Sequence, residues 1–234
     1  MALSGSPGTR LRFGAAVLTA AKSANVKPVQ ARLEGFARVQ GDFAAAHARV
    51  EKAEAALAAA EARVAQRDRE QDEAVERLAR ALINEGQSRT KPFAGCGGPT
   101  PAALMRLPVA QEAQAIQALV TALGRSPGLS KATQQAMSAA DKAAHLVEKA
   151  LEPIAGLQAA VDAAREARDA LTPTWDNALA ALKRGARAAV DEGAPHLYAT
   201  LFQPPARNSK RARHTSPVPV TPPAPPPAPP VAST

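Results

Sequence analysis

The chain has 234 residues, with 29 Lys and Arg against 21 Asp and Glu, and only seven Phe, Tyr and Trp residues. Its single cysteine, Cys96, excludes an intramolecular disulfide or a cysteine-based metal cluster, and the scarcity of aromatic and β-branched residues argues against sheets. The formal charge of +8 belongs to the ends: residues 1–32 and 206–234 hold nine cations and no acid, and 33–205 is within one charge of neutral, so basicity alone is poor evidence for a nucleic-acid face on the folded part.

Residues 1–28 read as a flexible start with a short helical segment. Ser4, Gly5, Ser6, Pro7 and Gly8 open it, and Arg12 to Ala24 forms a short helix closed by Asn25 and Lys27–Pro28, since the residue before proline avoids helical angles. The run Phe13–Ala21 is interrupted by Gly14 and followed by Lys22. It is too short to span a bilayer and a poor match to a secretory signal. The expected compartment is therefore the cytoplasm.

From residue 29 the pattern becomes regular. Val29, Phe36, Phe43, Val50, Leu57 and Val64 recur every seven residues, followed by Gln71 and Leu78. Three positions further on stand Arg32, Val39, Ala46, Ala53, Ala60, Arg67, Ala74 and Ala81. Large residues on one seam and mostly alanine on the other make a heptad. The spacing predicts one helix over 29–85, opened by Pro28 and stopped by Gly86, far longer than a globular helix.

Residues 86–108 form a loop around Gly95, Cys96, Gly97, Gly98, Pro99 and Pro101. A short helix over 109–123 carries Ile116, Leu119, Val120 and Leu123 and stops at Gly124. A second long run over 129–192 places Ala140, Val147, Ile154, Val161, Arg168, Trp175, Leu182 and Ala189 on one seam. Ala143, Ala150, Leu157, Ala164, Leu171 and Ala178 stand on the other. Pro153 and Pro173 fall inside this run and should kink or break it, yet the seven-residue phase continues through both. Trp175 is expected in the core.

The fold class is therefore all-α: two long antiparallel heptad-patterned arms, a coiled-coil hairpin or bundle spanning 29–203, with a shorter connecting helix and disordered termini. Pairing of the same seams between subunits is the alternative. Residues 204–234 are a basic, proline-rich disordered tail. Nine prolines between Pro217 and Pro230 favour extended polyproline II, the form that aromatic-lined grooves bind. Lys210, Arg211 and Arg213 are its candidate electrostatic contacts.

No catalytic constellation is legible, so no enzymatic activity, cofactor or metal is expected. His47, His145, His196 and His214 have no partner at ligand spacing, and the glycines of 95–98 lack the Lys and Ser/Thr of a phosphate loop. Asp68, Asp72 and Glu76 share a helix face at four-residue spacing and read as a solvated acidic surface. Cys96 between glycines reads as an exposed loop thiol. The functional expectation is a non-enzymatic scaffold or adaptor that self-associates or binds a protein through its tail. The alternative is a binder of anionic surfaces, nucleic acid or membrane, acting through the basic termini. No small-molecule substrate is evident.

Overall fold

Alanine-rich segments with one apolar stripe need a partner to bury that stripe, and here each segment finds it on a single long helix. The computed structural model describes residues 5–203, and those residues form helices and no strand: the fold is all-α. The expectations for residues 204–234 lie outside the described residues.

Helix α1 spans Pro7–Ala21; Ser6 caps it by accepting from the Thr9 N–H, and Pro7 sits in its first turn. Helix α2 spans Gln30–Asn84, 55 residues, about 80 Å at 1.5 Å per residue. Gly86, at φ 94°, ends it. The Gln87 N–H donates to the Leu82 carbonyl and the Gly86 N–H to that of Ile83, the paired bonds that satisfy orphan carbonyls at a helix C-terminus. Helices α3 (Pro101–Leu104) and α4 (Val109–Leu123) follow the loop.

The second arm is three helices in series: α5 (Lys131–Leu151), α6 (Ile154–Ala170) and α7 (Thr172–Asp191). Pro153 and Pro173 mark the junctions, because proline removes a helical N–H and crowds the preceding turn. Each of the three packs on α2. The direction is antiparallel: Thr133 meets Glu85, Arg165 meets Glu54 at 2.6 Å, Trp175 meets Gln40, and Gly185 lies under Arg32. One step forward on α2 is one step back on the other arm. Helix α8 (Leu197–Phe202) closes the bundle against α1 and α7. Helix α4 lies along α5, with Gln117 donating to Glu148 at 2.8 Å.

The core is split in two. At one end α1, the first turns of α2, α7 and α8 bury Val17, Val29, Phe36, Phe43, Trp175 and Leu182. At the other, α4 and α5 pack on the last turns of α2 around Leu78, Leu82, Ile116 and Val147, with Phe93 inserted from the loop. Between them only α2 and α6 run side by side, and Val161 is the one buried residue of α6. Two helices cannot enclose a seam that alanine leaves narrow, so Leu57, Val64, Ile154 and Leu157 are half-exposed. A difference in mutational cost follows. Phe43→Ala, at a site with no exposure, is expected to cost about 3–5 kcal/mol, and Leu57→Ala at the waist under about 2 kcal/mol. Urea unfolding of the two variants measures this.

Candidate functional site

Two places in the molecule carry unusual polar chemistry, one at each end. The first is built where α4 crosses the acidic face of α2. Pro108 opens α4, its carbonyl accepting the Glu112 N–H at 3.0 Å, and Glu112 stands one turn in, buried beside Asp72 of α2. Glu112 is 2 % exposed and Asp72 half-buried. Gln71, with no exposure, completes the layer. Glu112 Oε1, Asp72 Oδ1 and both polar atoms of the Gln71 amide make no well-formed hydrogen bond within the protein.

Burial is the first cause pushing the Glu112 carboxyl up, to about 7, and the charges of Asp72 and Asp68 add to it. Asp72 is raised for the same reasons: burial first, then Asp68, with Glu76 adding its charge, while its contact with Glu112 pulls the other way. Two carboxyls this close cannot both ionise cheaply, so the pair shares a proton and titrates as a unit. This corrects the reading of Asp68, Asp72 and Glu76 as a wholly solvated face. Helix α4 covers part of that face, and the covering residue, Glu112, is 40 positions away in sequence. The pair is enclosed rather than open to a substrate, and among the described residues no group of three or more His, Cys, Asp or Glu is placed to hold a metal ion.

By contrast Glu85, at the end of α2, is held below its usual range, first by its hydrogen bond from the Ser130 side chain. It accepts from the Ser130 N–H at 2.8 Å and the Thr133 hydroxyl at 2.6 Å. A carboxylate at the start of α5 satisfies the Ser130 N–H and complements the positive end of the helix dipole.

The second place is the seam between α7 and α8 at the opposite end. Lys183 Nζ lies 5.3 Å from the Phe13 ring centre and 5.7 Å from that of Phe202. The Arg187 guanidinium lies 5.0 Å over the Tyr198 ring and donates to its hydroxyl at 3.2 Å. Tyr198 and Phe202 touch at 5.1 Å between centres. No carboxylate among the described residues pairs with Lys183, Arg184 or Arg187.

Comparison with known proteins gives no relative. No protein-family model, curated protein or solved structure matches the chain.

The structure distributes the seam residues along the whole length of the molecule. Val29, Phe36, Phe43, Val50, Val147, Val161, Trp175 and Leu182 are buried, while Leu57, Val64 and Ile154 line the open waist. Val64 and Ile154 share a groove of about 310 Å³ with Leu151, Val109, Glu61 and Asp68. Cys96 is half-buried rather than exposed, and its thiol donates to the Phe93 carbonyl at 3.1 Å. His47 and His145 lie on helices beside Glu51 and Asp141. Lys210, Arg211 and Arg213 lie outside the described residues. No described helix is long and apolar enough to cross a membrane.

Sequence reasoning missed Glu112 and the Lys183–Arg187 strip. For the first, the signal was Gln71, the amide that interrupts an otherwise apolar seam. For the second, it was three aromatics near the ends of the folded body with cations four residues apart on α7.

Proposed function

We propose that the protein is a non-enzymatic scaffold or adaptor of the cytoplasm. Its paired heptad arms act as a coiled-coil spacer, and residues 204–234 engage a protein partner through their proline-rich sequence. The observation that carries this reading is the register of the arms. Gln40 of α2 meets Trp175 of α7 and Glu54 meets Arg165 of α6, pairings that suit positions seven apart from 36 to 78 standing level with positions seven apart from 182 back to 140. An arrangement with alanine along the companion seam fixes a separation between two ends and offers little else.

Light scattering on the eluting protein tests it, on the full chain and on a chain ending at residue 205. The expected result is one discrete mass for each, unchanged between low and high salt, with small-angle scattering showing a particle about 80 Å long. A compact particle would defeat the spacer reading.

A second reading, the binding of an anionic surface, draws support from the distribution of charge. Residues 5–50 hold seven cations and two acids, and they fold against α7 at the same end as Lys183 and Arg187. Lys210, Arg211 and Arg213 would add their charge to such binding. Association with nucleic acid that disappears at high salt or with removal of residues 206–234 would favour it over the first.

A further inference from the structure

We infer that the α7–α8 seam is a docking surface for single-stranded nucleic acid, with Lys183 and Arg184 taking phosphates and Arg187 stacking on a base. The inference rests on the anionic-surface reading above and assigns to it a place on the folded body.

The first ground is the way the cations are held. Six arginines elsewhere among the described residues, Arg80 with Glu76 and Arg165 with Glu54 among them, lie in ion pairs that offset their charge. Lys183 and Arg187 rest on aromatic rings instead. A ring fixes the position of a cation through its quadrupole while leaving the full positive charge available. Arg184 and Arg187 are exposed and Lys183 half-exposed, and residues four apart on a helix face stand about 5–6 Å apart. The nearest acid in sequence, Asp191, stands one turn beyond Arg187 at the end of α7 and forms no ion pair with it.

The second ground selects the partner. Phe13, Tyr198 and Phe202 are each half-buried, and a cation sits over each ring, so no apolar side chain stands proud for insertion into a bilayer. What faces outward is charge together with the guanidinium of Arg187, backed by Tyr198. A guanidinium plane backed by a ring stacks on an unpaired base, and a duplex hides its base faces from such a contact.

Polarisation of a fluorescent oligothymidylate, titrated with the full-length protein between about 50 and 200 mM salt, tests the assignment. The parent is compared with Lys183→Gln/Arg187→Gln, Arg187→Lys and the chain ending at residue 205. Circular dichroism checks that each is folded. The double variant should bind about tenfold more weakly at low salt and lose about 0.7 from the slope of log K against log salt, the share of the one phosphate-neutralising charge it removes, Lys183, the rest of the loss coming from the stack on Arg187. Arg187→Lys should keep the slope and lose affinity, since a lysine supplies charge without a stacking plane.

If the double variant binds as the parent does while the chain ending at 205 does not bind, the seam assignment fails and the anionic reading stands on the tail alone. If the parent itself does not bind the oligonucleotide, both fail for nucleic acid. Binding only to vesicles containing phosphatidylserine would also overturn the assignment, replacing it with a membrane surface.

Discussion

Replacing Glu112 with glutamine is expected to stabilise the protein above neutral pH and to flatten its stability between about pH 5 and pH 8. The folded carboxyl is pushed up to about 7 from an ordinary value near 4.5, so the folded state holds a proton that the unfolded chain releases. Stability from this proton is fully present below the unfolded value and declines as pH rises through 4.5. It is gone once pH passes the folded value. At about 1.4 kcal/mol per unit the full span is about 3 kcal/mol, an upper figure because Asp72 shares the proton. Glu112→Gln keeps the size and removes the titration. Urea unfolding at about pH 5, 6, 7 and 8 should show the parent losing about 2 kcal/mol across that range and the variant almost none. Parallel profiles would dismiss the shared proton.

Asp72→Asn should act in the same direction through Glu112, by removing the charge that adds to its burial. The combined variant should gain less than the sum, because one proton is being counted from two sides. Glu70 and Glu85 move the opposite way. Each is held below its usual value, Glu70 first by its hydrogen bond from Arg67 and Glu85 first by that from the Ser130 side chain. Their contribution is present above about pH 4.5 and falls away only on acidification. The two sets therefore occupy different pH windows, and the loss between mildly acidic and neutral pH, about pH 5 to 7, belongs to the carboxyl pair.

What the sequence made legible was spacing. A period of seven is a property of single residues and continues in the sequence through Pro153 and Pro173, and α5, α6 and α7 each pack on the same helix, α2. Phe36, Phe43, Trp175 and Leu182 lie on those lines and are fully buried. Depth was not legible. Whether a seam position is enclosed depends on a third or fourth helix, and nothing local to Leu57 or Val64 announces that the neighbouring helices leave them half-exposed. The polar sites were hidden for a related reason. An acid in the first turn of a helix is a common sight, favoured by the dipole, and only the placement of α4 turns Glu112 into a buried group. Gly14 shows the same limit. In sequence it interrupts an apolar run; in the fold it provides space for a side chain from another helix.

That space underlies the second large effect. Gln40, 7 % exposed, ties three helices together. Its Oε1 accepts from the Trp175 indole N–H at 2.6 Å, and its Nε2 donates to the Leu11 carbonyl of α1 at 3.2 Å. A Cβ on residue 14 would fall within contact distance of Gln40 Oε1, Cδ and Nε2. Gly14→Ala must therefore expel Gln40 or lift α1. Expulsion leaves a buried indole N–H without its acceptor, which costs about 1–3 kcal/mol, and the loss of packing around Val17 adds to it. The expected destabilisation is about 2–4 kcal/mol. Lifting α1 also strains the ion pair of Arg10 with Asp176 at 3.2 Å.

Trp175 is the only tryptophan, so its fluorescence reports on this clasp alone. In the parent the indole is fully enclosed by Phe36 and Phe43, and Gly14→Ala should shift its emission to the red as water reaches it. The deciding comparison is Gly14→Ala in a Gln40→Ala background. Without the Gln40 side chain the new methyl meets nothing, so the second substitution should cost far less than it does alone, with a coupling of about 1 kcal/mol or more. Additive costs would mean that Gly14 acts through helix propensity rather than through the space it gives Gln40, since glycine-to-alanine in a free helix position would stabilise by about 1 kcal/mol. The sign of the single substitution therefore already separates the two explanations: a loss requires the clasp, and a gain would remove it.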